Sequence, residues 1–413
     1  MSKFTTKKYR SFCRIAAGIF SLFLGLQVAQ AQPVAKGQAA AKEQIQIKAL
    51  INPGDQGEQS RFGVFSAWKG VVEQALRKEK ITGAAVTLSM DATGDLGATR
   101  SRIPDIFVAP AHVIGSAVRY GYTPVLGLEN PIQAVLIVAK DSPISNLSQM
   151  QNKNIGMPMQ DSIVTYLVRG EVHAANTTIK RHFKAVYDTR YQDALLPCLR
   201  LRRCDVVAVE RAVYDRWLAA GEQLKVVMET KEVPALSIAV KNGSRPSADA
   251  LRAALAEYSG AVPGSEGVKF SALTAEDFAY VSTLGYFTPR ALPGATLVDA
   301  TAVDQMLQGG GVFIDTRTEA EFKAGRVPGA VLVPYVEKSH KEPDFNATAD
   351  SFDLSKLPPS KNTVIVFACN GAECWKSFKA SHAAVKAGYS KVHWFRGGLP
   401  EWRAAGLKVD SGS

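Results

Sequence analysis

Short apolar runs alternate with amphipathic stretches along most of the chain from Ile45 to about Arg290. Apolar runs bounded by turn residues are typical of buried strands, and apolar residues spaced three to four apart are typical of helices that cover a sheet. The pattern predicts strands over residues 45–51, 85–90, 106–109, 134–139, 154–157, 182–186, 205–209, 224–228 and 236–240. It predicts helices over 66–80, 111–121, 163–175, 191–203, 211–220, 247–259 and 274–284. We therefore expect an α/β fold, and roughly 245 residues of this kind suit two lobes better than one.

The segment 288–295 contains Pro289, Pro293 and Gly294 and is typical of a connector between domains. It divides the chain into a first domain over 45–287, a linker over 288–295 and a second domain over 296–413. Within the second domain, residues 345–359 are rich in Asp, Ser and Pro, which predicts an insertion loop. We find no internal repeat.

The N-terminus has the composition of a secretory signal peptide. Five cations, Lys3, Lys7, Lys8, Arg10 and Arg14, precede or border the apolar run 15–28, and Ala29-Gln30-Ala31 supplies small residues for cleavage. We expect residues 1–31 to be removed after Ala31 and 32–44 to form a flexible segment, which places the protein in the periplasm or outside the cell. The apolar run is short for a membrane anchor, although an uncleaved anchor is the alternative.

Composition then excludes some function classes. Residues 1–31 hold five cations and no acids, so their removal lowers the formal charge from +11 to +6. No basic run interleaved with aromatics is present, so we do not expect a nucleic-acid partner. No second apolar run is long enough to span a membrane, so we expect no stable membrane span after processing. With 46% hydrophobic residues the chain can bury two or three cores.

The candidate chemistry lies near the C-terminus, where the apolar strand 364–368 leads directly into Cys369. A short loop then reaches Cys374, Trp375 and Ser377 before a helical pattern begins. Backbone N–H groups and the positive end of a helix dipole converge on a sulfur in this position and favour its thiolate. The same field stabilises a bound oxyanion or a persulfide. The alternatives are a half-buried cysteine or a structural disulfide between Cys369 and Cys374.

Two further motifs flank this loop in order. Upstream are Ile314-Asp315-Thr316-Arg317, Glu321-Phe322 and the run 325–330, and downstream are His393 to Trp402 followed by Ala405-Gly406-Leu407. Together with the cysteine loop they resemble the signatures of the rhodanese family, over roughly the last 120 residues. The resemblance implies a small domain with a central parallel sheet. It also implies that Cys369 accepts sulfane sulfur from a sulfur-containing anion and passes it to a thiol or cyanide, with no organic cofactor and no metal.

The loop departs from the commonest rhodanese pattern. Many members carry an arginine five residues after the cysteine, where this chain has Cys374, and a variant of the family carries a second loop cysteine followed by serine, as here. Thiosulfate is therefore in doubt as the natural donor. Anion binding would depend on the loop amides of Asn370, Gly371, Ala372, Glu373, Cys374 and Trp375, with Lys376 or Arg396 as charge partners or simply solvated.

Neighbouring residues have structural as well as chemical interpretations. Cys374 is a resolving thiol, a disulfide partner of Cys369 or a spectator, and we rank the first two above the third. The four-residue spacing of Arg317 and Glu321 favours an internal ion pair that fixes the loop after the strand, over a catalytic role.

The first domain also resembles a known family. The run 135–147, the segment 154–165 and the strand 204–209 resemble the hinge-crossing strand, binding loop and later cleft strand of phosphate/phosphonate-type periplasmic solute-binding proteins. Clefts in such folds are lined by strand ends and helix N-termini. The residues expected at those positions are Asn52, Ala109, Ser162, Thr165 and Glu210. Ser162 and Thr165 suit an oxyanion or simply cap a helix, and Glu210 disfavours a plain anion.

The remaining cysteines and the histidines point to structure rather than to a metal. Cys198 and Cys204 flank a short basic segment at the end of a predicted helix, which favours a local disulfide in an exported protein. The six histidines are scattered singly, so no metal-ligand spacing is present.

Two functions follow. The favoured one is an exported rhodanese-class sulfurtransferase that carries sulfur on Cys369, with an attached domain that binds a small solute. The alternative is a periplasmic binding or sensing protein whose C-terminal domain is a redox or docking module, with Cys369 and Cys374 held as a disulfide. The sequence does not identify the donor, acceptor, solute, transporter or redox partner, or oligomeric state.

Overall fold

A computed structural model describes residues 46–55, 57–89, 92–256, 258 and 269–412. The predicted signal peptide and the segment 32–44 lie outside the described residues. The strands are β1 Lys48–Ile51, β2 Ala85–Leu88, β3 Ile106–Ala109, β4 Tyr122–Leu128, β5 Ala134–Ala139, β6 Asn154–Pro158, β7 Ala185–Thr189, β8 Val206–Glu210, β9 Leu224–Glu229, β10 Ser237–Lys241, β11 Phe270–Ala272, β12 Ala295–Leu297, β13 Val312–Asp315, β14 Val331–Leu332, β15 Ile365–Ala368 and β16 Val392–Phe395.

The helices are α1 Glu58–Lys78, α2 Ala92–Ser101, α3 Ala111–Arg119, α4 Ile163–Ala174, α5 Ile179–His182, α6 Leu195–Arg200, α7 Arg211–Ala219, α8 Ala248–Ala256, α9 Ala279–Ser282, α10 Ala300–Gln308, α11 Glu319–Ala324, α12 Trp375–Lys386 and α13 Gly398–Ala404. Short 3-10 helices lie at Leu147–Met150, Gln192–Ala194, Glu276–Phe278, Ala347–Ala349 and Leu354–Lys356. Among these described elements, none combines the length and the apolar character needed to cross a membrane.

Two mixed sheets form the first domain. Lobe 1 is built on the strand order β11-β4-β10-β3-β1-β2, in which β1 runs parallel to β2 and β3 while β10 runs antiparallel to β3 and β4. Lobe 2 is built on the order β7-β6-β8-β5-β9, with β5 antiparallel to β8 and β9. The chain passes between the lobes after β4 and again after β9. These two passages pair through hydrogen bonds of 2.8 and 2.9 Å between the backbones of Ile132 and Val233, which makes a hinge between lobes.

The third sheet is entirely parallel, with the order β12-β16-β15-β13-β14. We call the elements β12 to α13 the C-terminal domain. Its central strand β15 is buried at every position, as expected for a parallel strand covered on both faces. One face packs Phe367 and Ile314 against α12, and the other packs Val366 and Phe313 against α10 and α13. This arrangement confirms the predicted α/β class.

Local composition explains where the predicted elements differ from the structure. Strand β4 was not predicted because Pro124 and Gly127 interrupt its apolar run, and α2 was not predicted because it contains Gly94 and Gly97. The strand predicted over 182–186 is displaced, since His182 ends α5 and β7 begins at Ala185. The predicted helix 191–203 is a 3-10 turn followed by α6 alone.

Candidate functional site

The cysteine loop connects β15 to α12 at the carboxyl edge of the parallel sheet. Cys369 directly follows β15, and Cys374 occupies the N-cap position of α12. The structure joins the two in a disulfide with a Cα–Cα distance of 6.1 Å. Both residues are buried, Cys369 at 3% exposure and Cys374 at 5%. The site is therefore a dithiol pair in its oxidised form, placed at the positive end of a twelve-residue helix.

Two glycines let the backbone close tightly around Cys369. Gly371 lies at φ +91°, within the loop, and Gly398 lies at φ +56° at the start of α13. A Cβ on Gly398 would stand 2.1 Å from the carbonyl oxygen of Cys369. That carbonyl also accepts a hydrogen bond of 3.1 Å from the N–H of Leu399. Only glycine fits at position 398, because any side chain there would push the cysteine loop away.

The side chains that flank the loop form a different network from the predicted one. Arg317 is 1% exposed and pairs with Asp315 at 2.6 Å, rather than with Glu321. It also donates to the Oδ1 of Asn370 at 3.3 Å. Glu321 instead forms a capping box with Thr318 at the start of α11. The predicted Arg317–Glu321 ion pair is wrong because Asp315, at the end of β13, is nearer and is equally buried.

Glu321 is the acceptor of this buried network. Its Oε1 accepts from the Nδ2 of Asn370 at 2.6 Å and from the hydroxyl of Ser101 at 2.8 Å. Burial alone would raise the pKa of Glu321, but hydrogen bonds from Thr318 and the charge of Lys376 outweigh it and lower the pKa below its usual value. The charge of Lys376, one of the two predicted anion partners, therefore favours the ionised form of Glu321.

The other predicted partner, Arg396, binds the connector. Its Nε donates to the hydroxyl of Thr288 at 3.0 Å and its Nη2 to the Thr288 carbonyl at 2.8 Å. Thr288 in turn donates through its N–H and its hydroxyl to the carbonyl of Ala372, each at 2.8 Å. Burial lowers the pKa of Arg396, with Arg290 adding repulsion. Arg396 thus holds the loop through Thr288.

Residues of the first domain also hold the loop. Glu373 is 6% exposed and pairs with Arg119 at the end of α3, at 3.0 Å. The indole N–H of Trp375 donates to the carbonyl of Tyr286 at 2.7 Å. The loop therefore lies inside the contact between the two domains. No sequence pattern indicates these partners, because they are far apart in the chain and belong to separate motifs.

A cavity of about 530 Å³ lies between lobe 1 and lobe 2. Of the predicted solute-binding residues, Asn52 and Ser162 line it. The hydroxyl of Ser162 also accepts from the N–H of Val164 at 3.1 Å, which is helix capping. Thr165 and Glu210 lie beyond the lining: the Thr165 hydroxyl donates to the Pro158 carbonyl at 2.9 Å, and the Glu210 carboxylate accepts from Gln192 at 2.9 Å. Ala109 ends the buried strand β3 beside it.

Sequence reasoning missed a cluster at the centre of this cleft. Asp161 pairs with Lys341, its backbone carbonyl lies 2.7 Å from the Nε2 of His112, and Thr93 donates to its carboxylate. Burial alone would raise the pKa of Asp161, but Lys341 and Thr93 together lower it. Burial lowers the pKa of His112 to about 4. The lining otherwise mixes carboxylates and cations: Asp55, Asp188, Glu337, Arg61, Arg190 and Lys338.

Lys341 belongs to the C-terminal domain, in a segment over residues 337–344 that we call the strap. The strap covers the cleft between the two lobes. Its His340 pairs with Asp188 at 3.1 Å, and this hydrogen bond raises the pKa of His340. The strap is anchored at Ser339, where the buried ammonium of Lys379 on α12 donates to the Ser339 carbonyl at 3.1 Å and to its hydroxyl at 2.8 Å. The cleft is therefore closed by a loop of the domain that carries the cysteines.

A second disulfide joins Cys198 and Cys204, with a Cα–Cα distance of 5.3 Å. It ties the end of α6 to the residue before Asp205, where the chain enters β8. Cys204 is 2% exposed and packs in the apolar cluster on the outer face of lobe 2. This environment fits a structural bridge.

Two stretches of the chain match known protein families. Residues 299–405 match the family described as rhodanese-like domain, and residues 105–283 match the family described as ABC transporter, phosphonate, periplasmic substrate-binding protein. The thiosulfate sulfurtransferase 16 of Arabidopsis thaliana chloroplasts is 30% identical, over 27% of this chain and 88% of the relative. An HTH-type transcriptional regulator of Mycobacterium tuberculosis is 32% identical, over 24% of this chain and only 38% of its own length.

A Xanthomonas citri protein bound to ATP aligns with a TM-score of 0.48 and 18% identity, covering 58% of this chain and 96% of the other.

Proposed function

The chain belongs to the rhodanese family through its C-terminal domain, and from this premise we propose that it is an exported sulfurtransferase that carries sulfane sulfur on Cys369. The observation that supports this most is the position of Cys369, directly after β15 in the loop that leads to the N-terminus of α12. A sulfurtransferase needs a cysteine that ionises easily, and a helix N-terminus lowers the pKa of a thiol placed there.

The oxidised pair must first be reduced, by a dithiol reductant. The Cys369 thiolate then attacks the outer sulfur of a thiosulfate-like donor. The S–S bond of the donor breaks, sulfite leaves with its electron pair, and Cys369 becomes a persulfide. The persulfide passes its outer sulfur to an acceptor thiol or to cyanide. In the absence of an acceptor, the Cys374 thiolate attacks the inner sulfur, hydrosulfide leaves and the disulfide forms again.

The first domain supports a binding role for the same protein. Its family match is to periplasmic substrate-binding proteins, and its two lobes enclose the cleft at Asn52 and Ser162. Because the cleft lining carries both acidic and basic side chains, a polar solute with charges of both signs fits it better than a plain phosphate. A periplasmic location follows from the same family and from the signal peptide predicted over residues 1–31.

A single-turnover experiment tests the enzymatic role. The mature protein is reduced, freed of reductant and mixed with thiosulfate, and the sulfite released is measured. We expect one sulfite per reduced wild-type chain and none from Cys369→Ser. Cys374→Ser should release sulfite and retain a persulfide, detected by mass spectrometry after alkylation.

The controls separate the two functions. Cys198→Ser/Cys204→Ser removes a disulfide far from the loop and should leave the sulfite yield unchanged. Full activity in Cys369→Ser would falsify the assignment of the nucleophile. A reduced wild-type protein that releases neither sulfite from thiosulfate nor pyruvate from mercaptopyruvate would instead favour the redox or docking role.

A further inference from the structure

A second cavity, of about 420 Å³, lies against the cysteine loop where the loop meets lobe 1. Gly371 and Ala372, which lie between the two cysteines, form one wall. The opposite walls carry four arginines: Arg100 and Arg102 at the end of α2, Arg119 at the end of α3, and Arg403 on α13. Three of the four come from the first domain.

The cations of this cavity outnumber the acids around it. Glu401 is the carboxylate in the lining, and its Oε1 accepts from the N–H of Ala300 at 3.0 Å. Arg119 is paired with Glu373. Within the described part of the chain, no ion pair involves Arg100, Arg102 or Arg403. A cluster of cations without matching acids attracts an anion, because their mutual repulsion is relieved by a bound negative charge.

Arg100 adds an independent sign of a missing ligand. Its side chain is 8% exposed, so it is more than nine-tenths buried, and its Nε has no hydrogen-bond partner. Leaving a guanidinium N–H unpaired in a buried place is unfavourable, because the lost hydrogen bond to water is not replaced. An oxyanion in the cavity would offset the charge of this guanidinium. Arg403 is also buried and close to other cations. Burial lowers its pKa, and the charges of Arg317 and Arg102 lower it further.

The cavity and the sulfur centre share the loop backbone. The hydroxyl of Tyr120, which follows Arg119, would stand 3.0 Å from a Cβ placed on Gly371. Gly371 lies two residues after Cys369 and three before Cys374. An anion held against this wall therefore lies against the same loop that carries the nucleophile proposed above. The loop itself lacks the arginine of the commonest rhodanese pattern, because Cys374 occupies that place.

We propose that Arg100, Arg102, Arg119 and Arg403 form an interdomain oxyanion site that binds the charged end of the sulfur donor. The inference deepens the proposed sulfurtransferase function and depends on it for the identity of the ligand. The donor class is a thiosulfonate, meaning thiosulfate or an organic thiosulfonate, whose sulfonyl oxygens accept the guanidinium hydrogen bonds. The cationic groups that the loop itself lacks are thus supplied mainly by the solute-binding domain.

Calorimetric titration of thiosulfate into the full-length Cys369→Ser/Cys374→Ser protein tests the site without turnover. We expect binding, and an affinity at least about tenfold weaker in Arg100→Gln and in Arg403→Gln, since each loses a charge-assisted hydrogen bond. Arg100→Lys keeps the charge and should bind more tightly than Arg100→Gln. Arg200→Gln removes an exposed guanidinium on lobe 2 and should bind as the parent does. Circular dichroism of each variant checks that it folds.

The outcomes separate this inference from the proposed function. Thiosulfate affinity that is equal in the parent, Arg100→Gln and Arg403→Gln overturns the site, as does an absence of thiosulfate binding in a protein that still releases sulfite in single turnover. Binding that depends on the arginines, in a chain whose reduced form releases no sulfite, supports the anion site and contradicts the enzymatic proposal instead. Competition by sulfate should follow the same order among the variants.

Discussion

The side-chain amide of Asn370, the residue after Cys369, donates a hydrogen bond of 2.8 Å to the hydroxyl of Ser101, which lies 269 positions earlier in the chain. Both residues are buried, and both contact the same carboxylate oxygen of Glu321. Ser101 ends α2 of lobe 1, whereas Asn370 and Glu321 belong to the C-terminal domain. The first domain therefore completes the hydrogen bonding around the cysteine loop.

A double-mutant cycle measures this contact. Ser101→Ala and Asn370→Ala each leave the buried Glu321 with one donor fewer, so each should lower the free energy of unfolding by about 1–3 kcal/mol. Because the two side chains act on one acceptor, we expect a coupling energy of about 1 kcal/mol in urea denaturation. Ser282→Ala, which removes an exposed hydrogen bond from the Ser282 hydroxyl to the Ala279 carbonyl in α9, is the control and should cost far less. Strictly additive effects of the two substitutions would contradict a shared network.

The contrast between local and distant contacts explains how much the sequence could predict. The strand before Cys369 and the helix after Cys374 were predictable, because apolar runs and helical spacing are local signals. The bonds from Ser101 to Asn370 and from Arg119 to Glu373 join residues more than 250 positions apart. No period or motif encodes such pairs, so the cationic cavity beside the loop was not predictable either.

The ion pair predicted between Arg317 and Glu321 is wrong because each residue has a nearer partner. Its spacing to Glu321 suits an ion pair on a helix, but α11 begins only at Glu319, after Arg317. Arg317 therefore lies outside the helix and turns back to Asp315 at the end of β13. Thr318 then takes Glu321 as its capping partner.

Gly398 should be the least tolerant glycine of the C-terminal domain toward alanine. Gly398→Ala places a Cβ 2.1 Å from the Cys369 carbonyl, and also imposes a positive φ on an alanine. Gly388→Ala also imposes a positive φ, of +86°, but its Cβ meets nothing within 4 Å. We expect about 1–2 kcal/mol of destabilisation for Gly388→Ala and clearly more for Gly398→Ala, measured by chemical denaturation. Equal losses of stability in the two variants would show that the cysteine loop can move away from the added Cβ at no cost in free energy.

His112 should make the protein sensitive to mild acid. Its folded pKa, lowered by burial to about 4, lies below its ordinary 6.5, and Asp161 and Lys341 are the charged groups that face it. The neutral form is favoured in the fold, so its stabilising contribution is complete above pH 6.5 and is lost as the pH falls from 6.5 toward 4. The shift corresponds to about 3 kcal/mol of unfolding free energy.

Urea denaturation at several pH values between 4 and 7 measures this slope. His112→Gln cannot take up the proton, so it should flatten the dependence in that range. His173→Gln, at an exposed position on α4, is the control and should leave most of the slope in place. A wild-type profile that is flat from pH 7 to 4 would contradict the buried neutral histidine.

Lys341 should stabilise the closed cleft through Asp161. Its ammonium is the strap's partner for a carboxylate that is buried between the lobes, and Lys341→Met leaves that carboxylate without its cation. We expect a loss of about 3–5 kcal/mol in the free energy of unfolding at pH 7. The pKa of Asp161 is lowered in the fold, so the wild-type advantage is present above its ordinary 3.8 and is lost as the pH falls below that value. The difference between wild type and Lys341→Met should therefore shrink in acid.

Lys338→Met, three residues earlier at an exposed position of the same strap, is the matched control and should cost little. If both substitutions cost the same at pH 7, the strap does not depend on the ion pair with Asp161.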